Sequence, residues 1–354
     1  MGNTMTIEPN VFQTAGPTAT SSELELSANY SRILDFWVRY GKPQSISGVG
    51  DILIRGMSFQ RNDSDRAIVI SSGRTESFLK YREVVFDLWQ AGYSVSIMDH
   101  RGQGLSERIL KAPKGADADT SRATHEIGYV DRFDDYVDDL KSFVDQVVKP
   151  VGNKHLFLLA HSMGGAIASL YLESHPDDFE AAVLSSPMLE INLAPLPARA
   201  CWLVPFLGRP TRYLWGKGPY KELNEFDPKL ALTSSRARFE LLWRDELRRT
   251  PIARLGGPST RWLHEACLAA KRSRENAGRV TVPVLIFQAG QDTVVNDRGQ
   301  NDFCAIVTKR GRGSCEIDRV EGARHELFME RDEYRDHVMQ RAIGFFDMQS
   351  DKQR

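Results

Sequence analysis

No run of apolar residues in this chain reaches the roughly 18 that a membrane-spanning helix needs. No sign of charge dominates either: 46 Lys and Arg stand against 47 Asp and Glu, a net charge of -1 in 354 residues. The first absence excludes a helical membrane domain, and the second gives no reason to expect nucleic acid as a partner. Cysteine is scarce. Cys201, Cys267, Cys304 and Cys315 form no CxxC pair and no metal-ligand spacing, which reads as reduced thiols in a cytosol and not as a disulfide framework. P-loop, GxGxxG and HExxH signatures are missing too, so no metal and no other cofactor is expected. The opening residues MGNTMTIEPNVFQTAGPTATSSE lack the basic start and apolar stretch of a secretory signal. Gly2 and Thr6 match the loose myristoylation pattern, but the segment reads as a disordered polar leader. The expected location is the cytoplasm, with peripheral contact at the inner membrane as a further option.

What is present is a rhythm. Short β-rich runs at 67–71 (AIVIS), 93–99 (YSVSIMD), 155–160 (HLFLLA) and 181–186 (AAVLSS) alternate with helical patterns. One such pattern is Phe133, Tyr136, Val137, Leu140, Phe143, Val144 and Val147, spaced by three and four. Repeated strand–helix–strand units give right-handed crossovers and a mostly parallel sheet, the α/β class. Residues 45–60 fit an antiparallel hairpin ahead of it. After Pro187 the rhythm stops, and it resumes only with 282–288 (VPVLIFQ) and 315–320 (CEIDRV), followed by a helical end at 330–347. The expected organisation is therefore a leader over 1–40, a core of 41–188 and 278–354, and a helical cap inserted at 189–277. The cap holds 16 Lys and Arg against 9 Asp and Glu, a local charge of +7. A solvated helical surface and a surface that meets anionic lipid both account for that excess.

The nucleophile is the sharpest signal. HLFLLAHSMGGAIASLYL places Ser162 between a strand and a helical run, the context of the G-x-S-x-G elbow. Small neighbours are needed because larger side chains at that tight turn would strike the adjoining strand and helix. The first small position is Ala160 in place of glycine. The turn aims the backbone N–H of Met163 at any oxyanion formed there, and His161 is expected to pack away from the hydroxyl.

A serine hydroxyl needs an imidazole to take its proton and a carboxylate to orient that imidazole. On this kind of fold the chain order is Ser, Asp, His. Asp292 follows one late strand and His325 follows the next, both in loops at the sheet edge that carries the elbow. The rivals are weaker: Asp297 falls in the next helix, His264 in the cap and His337 in the terminal helix, while His100, His125 and His175 precede or flank the elbow. The second oxyanion donor is expected in SSGRTES (71–77), where Gly73 permits close approach and the Arg74 N–H is the donor. The loop from Asp99 to Ser106 reads as structural. The acidic run Asp131, Asp134, Asp135, Asp138 and Asp139 reads as the solvated start of a helix.

From about residue 48 onward the chain resembles the bacterial lysophospholipases of the L-two type, relatives of the monoacylglycerol lipases among α/β-hydrolases. The resemblance rests on SGRTESFLKYREVVFDL, DHRGQGLSER, YVDRFDDYVDDLKSFV, LLAHSMGGAIASLYL, GGPSTRWLHEAC, DTVVNDRGQNDFC and GARHELFME. It puts Ser162, Asp292 and His325 on that family's triad positions. It implies hydrolysis of the acyl ester of a lysophospholipid, in some members with acyl transfer to another lipid alcohol. It further implies an acyl channel under the cap, with Gly73, Trp202, Phe206 and Trp262 as substrate contacts. A monoacylglycerol lipase or broad carboxylesterase shares the triad. A non-catalytic binding protein on the same fold would typically lack one of its members.

Overall fold

The apolar runs at 67–71, 93–99, 155–160, 181–186 and 282–288 become strands that the sheet buries on both faces, while 315–320 forms a largely uncovered edge strand. In the computed structural model, which describes residues 20–193, 208–310 and 312–351, eight strands form one sheet. They are β1 (Gly41–Ser47), β2 (Leu53–Phe59), β3 (Arg66–Ser71), β4 (Ser94–Met98), β5 (His155–His161), β6 (Ala181–Ser185), β7 (Val284–Ala289) and β8 (Cys315–Val320). Their order is β1-β2-β4-β3-β5-β6-β7-β8. The β1–β2 hairpin is antiparallel and adds to β4 antiparallel, while β4, β3, β5, β6, β7 and β8 run parallel. Every residue of β4, β6 and β7 is buried, as expected of strands covered on both sides.

Helices supply the two outer layers. On one face lie α4 (Asp134–Phe143), α5 (Met163–Ser174), α9 (Thr260–Asn276) and α10 (Asp297–Arg310), whose apolar stripes share one core cluster with the sheet. On the other lie α1 (Glu23–Tyr40), α2 (Arg82–Gln90) and α11 (Asp332–Asp351). The helix α3 (Ala118–His125) lies at the surface, and α6 (Pro228–Ala231), α7 (Arg236–Arg238) and α8 (Asp245–Arg249) are short turns of the inserted segment. No helix of the described residues is long and apolar enough to cross a membrane.

Four expectations change. Residues 23–40 of the leader form an 18-residue helix that buries Leu26, Tyr30, Ile33, Phe36 and Trp37; only 1–19 lie outside the described residues. The helix α9, assigned to the cap, packs against α5 and contributes Trp262, Leu263, Ala266 and Cys267 to the core. The insertion thus ends near Pro258 and not at 277. The reduced thiols give way to a disulfide between Cys304 of α10 and Cys315 of β8, and Cys267 is disulfide-bonded too; Cys201 lies outside the described residues. The acidic run is only half solvated. Asp135 and Asp139 are buried against Arg101, at 3.4 Å and 2.6 Å.

Candidate active site

The elbow is a strained turn. Ser162 has φ 52° and ψ -116°, a left-handed value that a non-glycine residue takes only where the surroundings enforce it. Glycines at the next positions are steric necessities. A Cβ on Gly164 would collide with the carbonyl oxygens of Ser71 and Ser72, and one on Gly165 would come within 2.5 Å of the Pro187 side chain. Where β5 gives way to α5, the hydroxyl stands at the C-terminal edge of the parallel strands.

Two other strand ends complete the arrangement. His325, after β8, accepts a hydrogen bond at Nε2 from Ser162 Oγ over 2.9 Å. Its Nδ1 donates to Asp292 Oδ2, after β7, over 2.7 Å. The other carboxylate oxygen accepts from the N–H groups of Val294 and Val295, at 2.7 and 3.0 Å. Burial works to raise the Asp292 pKa, but the facing imidazole and these hydrogen bonds outweigh it and hold the carboxyl below its ordinary range. All three side chains are buried. Hydroxyl, imidazole and carboxylate thus form one continuous relay.

The loop after β3 is held from behind. Gly73 N–H donates to Glu76, and Gln103 donates to Gly73 O over 2.7 Å. The Arg74 guanidinium donates to Gly256 O over 2.7 Å and lies 4.9 Å over the Trp262 ring. Burial pushes its pKa down to about 10. Trp262 is enclosed by that cation and by Tyr136, whose hydroxyl accepts its indole N–H at 3.2 Å. Trp262, expected as a substrate contact, is thus held within the core cluster. Trp202 and Phe206, with most of the expected acyl channel, lie outside the described residues. A cavity of about 430 Å³ opens instead between Thr75 and the insertion, lined by Tyr220, Leu223, Phe239, Trp243 and Leu255.

A group invisible in sequence lies against the imidazole. His161, expected to be mere packing, sets its ring 4.9 Å from that of His325, tilted by 55°. Its Nε2 is 3.3 Å from Glu326, and its Nδ1 donates to Ser185 O over 3.2 Å. Glu326 also accepts from Lys80 over 2.7 Å, and Lys80 in turn binds Glu76. Burial disfavours charge on His161, but Glu326 prevails and raises its pKa. Burial likewise opposes ionisation of Glu326, yet Lys80 and His161 hold it well below the carboxylate range. Two carboxyl groups, one ammonium and one imidazole thus meet in one buried cluster. Glu76, His161 and Glu326 converge as cation ligands would, but the Lys80 ammonium already bonds both carboxylates. The one local hint was the Glu76–Lys80 spacing of four.

The Asp99 loop is structural, as expected: Asp99 accepts from Ser77 Oγ at 2.9 Å, Phe78 N at 2.5 Å and Leu105 N at 2.7 Å. Burial pushes its pKa up to about 7, against those hydrogen bonds.

Residues 62–332 match the family described as serine aminopeptidase, S33. The chain is 36% identical over 325 residues to lysophospholipase L2 of Escherichia coli K12, covering 89% of this chain and 90% of that one. It is 25% identical over 272 residues to mouse monoglyceride lipase, covering 77% and 79%. Among solved structures, a soluble variant of monoglyceride lipase from Saccharomyces cerevisiae superposes with a TM-score of 0.64 at 20% identity, covering 87% of this chain and 95% of that chain. That last likeness concerns the fold alone.

Proposed function

Because the chain belongs to this serine-hydrolase family, in the part of it that holds lysophospholipase L2, we propose that it cleaves the acyl ester of lysophospholipids, releasing a fatty acid and a glycerophosphodiester. The observation that carries the chemistry is the relay Ser162–His325–Asp292 at 2.9 and 2.7 Å. Near-complete coverage of lysophospholipase L2 supports the lipid ester over the peptide bond that the family description names.

The Ser162 oxygen attacks the ester carbonyl while His325 Nε2 takes its proton, and Asp292 stabilises the imidazolium. The N–H groups of Met163 and Arg74 hold the oxyanion, which makes the rigid placement of both loops part of the rate. Collapse expels the glycerol oxygen with the proton from His325 and leaves an acyl-serine. Water, deprotonated by the same imidazole, then releases the fatty acid; a lipid alcohol in its place would give acyl transfer. The cavity of about 430 Å³ beside Thr75 is of the size that holds a small lipid.

The cytoplasmic expectation rested on the missing secretory signal and on free thiols, and the second ground changes. With Cys304, Cys315 and Cys267 all bonded, an oxidising compartment suits the chain better, and thiol alkylation of unreduced protein that labels none of the three supports it.

The test is fatty-acid release at fixed acyl length from lysophosphatidylethanolamine, lysophosphatidylcholine, lysophosphatidylglycerol, monoacylglycerol and an aryl ester. Lysophospholipids are expected to lead, and Ser162→Ala to lower kcat by about 10⁴–10⁶ with an unchanged melting temperature. A lead for monoacylglycerol moves the function to a monoacylglycerol lipase, as similarity to the mouse enzyme suggests. No turnover returns it to a binding protein.

A further inference from the structure

Residues 208–221, GRPTRYLWGKGPYK, carry four cations and no acidic residue. They fold into two successive tight turns: Arg212 N–H donates to Arg209 O at 3.1 Å, and Lys217 N–H to Leu214 O at 2.9 Å. In the second, Gly216 takes φ 75°, the positive value such a turn needs at its third position. Trp215 therefore occupies the tip, and it is 92% exposed. Trp37 and Trp262, by contrast, are buried.

This is not a loose tip. Leu214 N–H donates to Pro258 O at 2.9 Å, Thr260 N–H to Arg212 O at 3.2 Å and Arg261 N–H to Pro210 O at 3.2 Å. Tyr213 bridges to Ser259 and donates its hydroxyl to Ala123 O at 2.7 Å. The turns are thus bolted to the start of α9 and to α3, and Trp215 stands out from a fixed platform. Arg209, Arg212, Lys217 and Lys221 are exposed, and no described carboxylate pairs with them within 4.0 Å. The acidic neighbour Glu222 is already bound to Arg248.

An indole at the tip of a fixed turn, in a segment whose four cations have no described carboxylate partner, matches the interface of an anionic bilayer. The ring suits the headgroup level, and each cation gains from the negative surface. The same segment forms one wall of the cavity described above, through Lys217, Tyr220 and Lys221, and the opposite wall includes Thr75 beside Arg74. We propose that this turn docks the protein on an anionic lipid surface, with Trp215 at headgroup level and Arg209, Arg212, Lys217 and Lys221 against lipid phosphates. The cavity mouth then faces the surface from which a lipid substrate enters. That route rests on the lipid-ester function; the docking itself does not.

The experiment uses the full chain with vesicles of phosphatidylcholine, with and without phosphatidylglycerol. Wild type is expected to bind only the anionic vesicles, less tightly as salt rises. Trp215→Ala should weaken the partition roughly tenfold or more, and Arg209→Ala with Arg212→Ala by roughly 20–30-fold. Trp215→Ala should leave hydrolysis of a short water-soluble ester and the melting temperature unchanged. Ser162→Ala should bind vesicles as wild type does, which separates docking from the proposed chemistry. Equal binding by all variants, or binding to neutral vesicles that ignores the arginines, overturns the proposal. So does loss of short-ester hydrolysis in Trp215→Ala, which would make the indole a structural prop. Binding to polyglutamate but not to anionic vesicles would assign the turn to an acidic protein.

Discussion

Two groups of charges in this molecule behave as opposites. Behind the imidazole, Glu76, Lys80, His161 and Glu326 are buried and mutually bonded, so that each charge is met by another. On the insertion, Arg209, Arg212, Lys217 and Lys221 stand in solvent with no described carboxylate beside them. The first group fixes geometry: it ties the loop after β3, the elbow and the loop of His325 to one another. The second spends nothing on the fold, because water solvates those heads already, and its charge is free for a partner. A third case lies between. Glu173 of α5 is buried, one of its oxygens lacks a hydrogen-bond partner, and burial raises its pKa to about 8 even with Arg272 and Arg279 nearby. A charge buried without a direct ion pair takes up a proton instead.

The comparison breaks most visibly at Lys80. Lys80→Met leaves Glu76 buried without its cation and Glu326 with His161 as its only partner in the cluster, and we expect a loss of about 3–5 kcal/mol in urea unfolding. A loss under about 1 kcal/mol would mean that the network is solvated and does not fix the loops.

Glu173 gives an effect of similar size, and it depends on pH. With its folded pKa near 8 and its unfolded value near 4.5, the unfolded chain releases the proton first. Stability from this group is therefore intact below pH 4.5 and falls as pH rises towards 8. Glu173→Gln should raise stability at pH 9 by on the order of 5 kcal/mol relative to its effect at pH 4. Equal effects at the two pH values would show an ionised Glu173 in the fold.

Arg74 marks the boundary between the two regimes, since it lies over Trp262 of the core and donates to Gly256 of the insertion. Arg74→Ala is expected to cost about 2 kcal/mol and to lower kcat, because the neighbouring N–H loses its anchor. A thermal shift without any change in kcat would detach the side chain from the catalytic loop.

The smallest effect belongs to the insertion. Arg212→Ala should change unfolding stability by less than about 0.5 kcal/mol. A larger destabilisation would show that the cation has a structural partner.

Much of the site was legible because its rules are local. The elbow needs small residues around a serine between strand and helix, and Ser162 with Gly164 and Gly165 satisfies that within a few positions. Chain order then left Asp292 and His325 as the residues at the right strand ends. The alternation of strands and helices was equally plain, down to the interruption after Pro187. The leader was harder: Leu26, Ile33 and Phe36 have helical spacing, but polar residues before Glu23 masked it. Trp262 was expected as a substrate contact and Arg74 as an oxyanion donor through its N–H, and nothing nearby in sequence reveals that the Arg74 guanidinium lies over the Trp262 ring.

Sequence alone determined the α/β sheet, the elbow and the candidate triad, since each is specified by periodicity or by a motif that fits within one turn and its flanking elements. Tertiary structure decided which charges are paired. Lys80 and Glu326 are 246 positions apart, and only the crossovers of a parallel sheet bring the ends of β3 and β8 to one edge. It also decided the thiols: α10 must pack along β8 before Cys304 and Cys315 come to a Cα separation of 5.2 Å. Spacing in a chain records neither event, because burial and pairing are properties of the space between elements, fixed only once the elements have docked.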